Sequence, residues 1–110
     1  MSQGSAVPQV PAAEVPADAY VLDVREADEW AAGHVPGALH IPLGQLNARH
    51  TEIDRGPALY VICRSGNRSD YAAQALTGAG WPAHNVADGM IGWHAAGRPM
   101  TSESGPPFVA

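Results

Sequence analysis

The stretch Ala58-Leu-Tyr-Val-Ile-Cys63-Arg-Ser-Gly-Asn-Arg68-Ser-Asp-Tyr-Ala-Ala-Gln-Ala-Leu76 decides the fold. Ala58 to Cys63 is a nearly continuous apolar run, the pattern of a strand buried on both faces of a parallel sheet, and this strand is expected to be central. From Arg68 to Leu76, the residues Tyr71, Ala72, Ala75 and Leu76 recur at helical spacing, and Gly78 and Gly80 mark the helix end. The polar Arg-Ser-Gly-Asn stretch between them completes a strand, loop and helix in that order. In open α/β sheets reactive groups lie beyond the carboxyl ends of the strands, which is where Cys63 falls.

Outward from this unit, short apolar runs alternate with helical patterns, the signature of βα units and a mostly parallel sheet. Val7 to Val10 reads as a short first strand and Pro11 to Ala17 as a helical turn or loop. Tyr20 to Val24 reads as a buried strand with Arg25 at its carboxyl end. Asp28 to Ala32 forms a short helix stopped by Gly33, followed by a Pro/Gly turn over 34–38 into a brief strand, Leu39 to Ile41. Leu43 to Ala48 reads as a helical turn, Asn85 to Ala87 as a last strand, and Ile91 to Ala96 as a helical turn ended by Gly97 and Pro99. Thr101 to Ala110 reads as irregular, and both Pro-containing ends read as frayed. Residues 1–110 are expected to form one domain with its core over about 7–99.

The composition, 45% hydrophobic and 15% charged, is that of a packed globule. A net charge of -5 and six cationic residues that are all arginine leave no basic stripe, so neither nucleic acid nor membrane is an expected partner. No apolar run approaches the ~20 residues of a membrane span, and the amino-terminal stretch lacks a signal-peptide pattern, so a cytoplasmic location is expected. The abundance of Ala, Gly and Pro without lysine hints at a GC-rich bacterial genome. The histidines at 34, 40, 50, 84 and 94 lack metal-binding spacing, and one cysteine completes no zinc cluster. Neither a metal nor a cofactor is expected.

A lone cysteine after a Val/Ile-rich strand is, without context, most often a small buried hydrophobe. Here the context reverses that reading. The backbone N–H groups of Arg64, Ser65, Gly66, Asn67 and Arg68 can curl around the sulfur as an anion-binding nest closed by the next helix. Those amides, together with the Arg64 and Arg68 guanidiniums, are expected to favour thiolate and lower the Cys63 pKa. Asp23, Arg25 and Glu29 are expected to be structural, Arg25 and Glu29 as an i to i+4 pair. The turn at 33–38 is read as architecture, with His34 bonding locally. Met90, Ile91 and Trp93 are read as core.

Cys63-Arg-Ser-Gly-Asn-Arg-Ser69 resembles the active-site loop of rhodanese-like domains. The segments Asp23 to Ala38 and Asp88 to Pro99 resemble two further motifs of that family, in the right order and spacing over residues 7–99. The resemblance implies a three-layer α/β sandwich with a central, mostly parallel sheet flanked by helices. It also implies a thiosulfate sulfurtransferase in which Cys63 is the catalytic nucleophile, carrying sulfur as a persulfide. Arg64, Ser65, Gly66, Asn67 and Arg68 would bind substrate, with the two arginines stabilising an anionic sulfur donor. A thiophilic acceptor such as cyanide or a thiol would then take the sulfur. Where the family usually has two consecutive glycines, this chain has Asp88-Gly89. Aspartate tolerates a left-handed backbone, so the turn is expected to survive, with the carboxylate near enough to the loop to weaken anion binding.

Two alternatives stand beside this reading. One is a persulfide carrier module that serves a persulfide-donating or accepting partner protein. The other is a phosphatase or arsenate reductase, which needs five residues between cysteine and arginine. Here four lie between Cys63 and Arg68, and Ser69 occupies the required place.

Overall fold

A computed structural model describes residues 7–110. Five parallel strands, β1 Gln9–Val10, β2 Tyr20–Asp23, β3 Leu39–His40, β4 Leu59–Ile62 and β5 Ala83–Val86, form one sheet in the order β1-β5-β4-β2-β3. The helices are α1 Ala27–Ala32, α2 Leu46–Arg49, α3 Asn67–Gly78 and α4 Gly89–Ala95, with 3-10 turns at Ala12–Glu14, Leu43–Gln45 and His50–Glu52. The fold is the α/β arrangement expected from the sequence. β4 is central: its Leu59 pairs with Tyr20 of β2 on one side and with Ala83 of β5 on the other.

Side chains alternate across a strand, so the sheet separates two apolar clusters. Leu59, Val61 and Cys63 face a core with Leu22, Val24, Ile41, Ala72, Ala73, Leu76 and Trp81. Ile62 faces the other core, with Val21, Val35, Val86, Met90 and Trp93. The alternation therefore turns Cys63 toward the face covered by α3. Among the described residues no helix is long and apolar enough to cross a membrane.

Several local expectations are corrected. The buried face of α3 is Ser69, Ala72, Ala73 and Leu76, whereas Tyr71 is exposed and Ala75 also faces outward. A helix whose apolar residues are mostly alanine leaves its phase weakly defined by pattern, and the contact of Ser69 with the sulfur sets it instead. Met90 and Trp93 are core as expected, but Ile91 is exposed. α1 begins at Ala27 because Glu26 and Glu29 form a reciprocal capping box. The C-terminal segment carries no helix or strand, yet it is not frayed. Thr101 exchanges backbone hydrogen bonds with His34, and the amides of Glu103 and Phe108 donate to the carbonyls of Ala31 and Ala32.

Candidate active site

β4 delivers Cys63 to the carboxyl edge of the sheet, and the chain then bends sharply to start α3. Gly66, the N-cap, makes that bend possible. Its φ of 104° lies in the left-handed region, and a Cβ there would collide with the Ala87 carbonyl. The bend aims the Gly66 amide at Cys63 Sγ (3.1 Å), and the Ser69 hydroxyl lies 3.2 Å from the same sulfur. No side chain caps α3, so the sulfur takes the place a capping oxygen would occupy.

α4 fixes the other side of the loop. The amides of Met90 and Ile91 donate to the carbonyls of Cys63 and Arg64 (2.8 and 3.1 Å). Such close approach requires Gly89, whose φ is 58° and whose Cβ would meet those carbonyls. The expectation about Asp88 is corrected here. Asp88 has φ of -105°, with no left-handed demand on it, and its carboxylate accepts a hydrogen bond from the Ala12 amide (2.7 Å). The glycine that matters is retained, and Asp88 Oδ1 is engaged with the neighbouring 3-10 turn.

Cys63 is only 1% exposed. Burial is the largest influence on its thiol and pushes the pKa up. The Ser69 hydroxyl and the amides of Ser69, Gly66 and Ser65 together outweigh burial, so the net shift is downward. The amides act as the sequence leads one to expect and are joined by the Ser69 hydroxyl, while Arg68 interacts with the thiolate through its charge. Arg68 is clamped by Glu29 in a bidentate pair at 2.8 and 2.9 Å. The Arg68 guanidinium holds the Glu29 carboxyl down at about 2, and Glu29 in turn raises Arg68. Arg64 is exposed and donates through Nε to the Ala110 carbonyl (3.0 Å). Ser65 and Asn67 are exposed at the loop surface.

The expected Arg25–Glu29 pair does not form, because Arg25 precedes the first turn of α1 and i to i+4 geometry does not apply to it. Arg25 instead pairs with Asp23 (2.7 Å), both side chains fully buried, and donates to the Gly33 carbonyl. Its Nη1 is buried without a hydrogen-bond partner. His34 bonds locally, Nδ1 to the Trp30 carbonyl (2.7 Å), and its ring stacks on Trp30.

Three residues at this site are not among the site residues expected from the sequence: Ser69, Asn85 and Glu29. Ser69 accompanies Ala72, Ala73 and Leu76 at i, i+3, i+4 and i+7, so a polar residue on the buried face was the available signal. Asn85 lies in a strand between His84 and Val86 and is buried, which no pattern in the sequence announces. Nothing local connects Glu29 to Arg68, which lie 39 positions apart.

Comparison with known proteins matches residues 11–96 to the model of the rhodanese-like domain. The chain belongs to the rhodanese-like domain family. Among its curated relatives, "Putative sulfur carrier protein YrkF" of Bacillus subtilis is 42% identical over 74 residues, covering 66% of this chain and 40% of that protein. "Putative sulfurtransferase YtwF" of the same organism is 35% identical over 86 residues, covering 78% of this chain and 84% of that protein. This rhodanese-like chain thus spans less than half of the first relative and most of the second. A rhodanese-related protein from Thermoplasma volcanium has the same fold, with a TM-score of 0.81 and 30% identity over 86% of this chain and 97% of that one.

Proposed function

We propose that this chain is a sulfurtransferase whose Cys63 thiolate takes the outer sulfur of a donor such as thiosulfate and carries it as a persulfide. The carrying observation is the set of hydrogen-bond donors converging on Cys63 Sγ at the start of α3, which suits an atom that is negatively charged at some stage of the reaction. In the first displacement the thiolate attacks the outer sulfur, the donor S–S bond breaks, and its electron pair leaves with sulfite. In the second, cyanide or a thiol attacks the outer sulfur of the persulfide and the Cys63 thiolate departs. The loop backbone of Ser65, Gly66 and Asn67 would hold the persulfide anion.

The two arginines take different parts. Arg64, exposed beside the cysteine, is the group available to an anionic donor, while Arg68 keeps the loop in shape through Glu29. The relatives' names, sulfur carrier and sulfurtransferase, support sulfur-bearing small molecules or proteins as partners. The phosphatase or arsenate-reductase alternative is not favoured by these relations, nor is a purely partner-serving carrier. Steady-state transfer from thiosulfate to cyanide tests the reading. Parallel double-reciprocal plots are expected, and Cys63→Ser should remove at least about a thousandfold of the rate while leaving the fold intact. Retained turnover in that variant would sink the mechanism.

A further inference from the structure

Behind the cysteine, the Ser69 hydroxyl opens a chain of polar side chains that is buried at Ser69 and Asn85 and reaches the surface at Gln9, and the transfer steps above leave Asn85 without a part. Ser69 Oγ lies 2.6 Å from Asn85 Oδ1 and 3.2 Å from Cys63 Sγ. Asn85 Nδ2 donates to the Gly66 carbonyl (3.1 Å) and to Gln9 Oε1 (2.8 Å), and Gln9 Nε2 donates to Asp70 (2.8 Å). Ser69 is fully buried and Asn85 is 2% exposed. The Gly66 carbonyl can only accept, so it fixes the amide orientation of Asn85 and leaves Oδ1 facing Ser69 as an acceptor. A serine hydroxyl has one proton, and two acceptors compete for it.

We propose that Asn85 is a positioning residue that holds the Ser69 proton while Cys63 is a thiol and yields it when Cys63 becomes a thiolate. This inference rests on the reading of Cys63 as the nucleophile. In the thiol state, S–H donates to Ser69 Oγ and the hydroxyl donates to Asn85 Oδ1. When the thiol proton leaves to solvent, the hydroxyl rotates and donates to the sulfur anion. In the persulfide Sγ is neutral, so the hydroxyl returns to Asn85. When the acceptor removes the outer sulfur, the hydroxyl turns again to the departing thiolate. Asn85 thereby opposes the resting thiolate and limits how far the cradle lowers the pKa, while the donor remains available at both displacements. The surrounding charged groups are Arg64 and Arg68 in the loop, Glu29 on α1 paired to Arg68, Asp70 on α3 bonded to Gln9, and Asp88 bonded to the Ala12 amide. No hydrogen bond links any of their side chains to Cys63, Ser69 or Asn85 among the described residues.

The test is the pH dependence of Cys63 alkylation by iodoacetamide, which reads thiolate without requiring sulfur transfer. Asn85→Leu removes the competing acceptor and should lower the apparent pKa by about one unit, a tenfold gain in thiolate-to-thiol ratio. Asn85→Asp strengthens the acceptor and should raise it. In a Ser69→Ala background the Asn85→Leu shift should vanish, since the shared proton is gone. Where Asn85→Leu fails to fold, the Asn85→Asp shift compared with and without Ser69 decides, and it should be smaller without it. Shifts that are equal in both backgrounds, or a rise with folded Asn85→Leu, would overturn the proposal. A wild-type Cys63 that alkylates as described but takes no sulfur from thiosulfate would instead count against the sulfurtransferase reading alone.

Discussion

Strands β2 and β4 lie side by side, run in the same direction, and each passes through a loop into a helix, yet the two loops end differently. At the end of β2, Asp23 and Arg25 form a fully buried ion pair, and the amides at the start of α1 are met by Glu26 and Glu29. At the end of β4, the corresponding amides have no side-chain cap and converge on a sulfur. The first loop meets its polar groups with its own side chains and backbone, apart from Arg25 Nη1. The second is satisfied fully only when its sulfur is charged, which is what a nucleophile needs from its surroundings. The Glu29–Arg68 pair links the two, so the loop after β2 holds the cysteine loop in place.

The comparison breaks most severely if the closed loop is opened. Asp23→Asn leaves the Arg25 guanidinium buried beside a neutral amide, and a loss of ~3–5 kcal/mol in urea unfolding is expected. A loss below ~1 kcal/mol would show that this pair is not what holds the β2 end together. Gly66→Ala strikes the open loop instead. It places a side chain at positive φ against the Ala87 carbonyl, with an expected cost of ~1–3 kcal/mol and a rise in the Cys63 pKa as the Gly66 amide turns away. An unchanged alkylation profile in this variant would detach the bend from the acidity of the thiol.

The smallest effect sharpens the link between the loops. Glu29 has its folded-state pKa lowered from 4.5 to about 2. Its contribution to stability is therefore fully present above 4.5 and is lost as pH falls through that range toward about 2. Glu29→Gln should lower the urea midpoint at neutral pH and shrink the difference between neutral and acid midpoints. An acid dependence identical to wild type would remove the pair from the account. Arg68 is about one-third exposed, so the effect should be modest and weaken in salt.

What the sequence disclosed follows from the range of each interaction. The strand Ala58 to Cys63 was legible because a parallel strand buried on both faces must be apolar throughout, and the glycine-containing turn after it has a local cause. The helical phase of α3 was not, because its alanines pack on any side and the deciding contact, Ser69 to Cys63, is tertiary. Arg25 and Glu29 were misassigned to each other because sequence spacing suggested a helical pair. Their actual partners are set by the bend before α1 and by the approach of α3 across the sheet edge. The C-terminal segment was read as loose because it lacks periodicity, but its backbone bonds to the Ala31 to His34 region carry no side-chain signature.

The central claim, that the open loop exists to carry sulfur on Cys63, is tested most directly by intact-protein mass after incubation with thiosulfate. The account predicts a gain of one sulfur, about 32 Da, that is absent in Cys63→Ser and is discharged by cyanide. No gain in folded, reduced wild-type protein, or an equal gain in the serine variant, would contradict it.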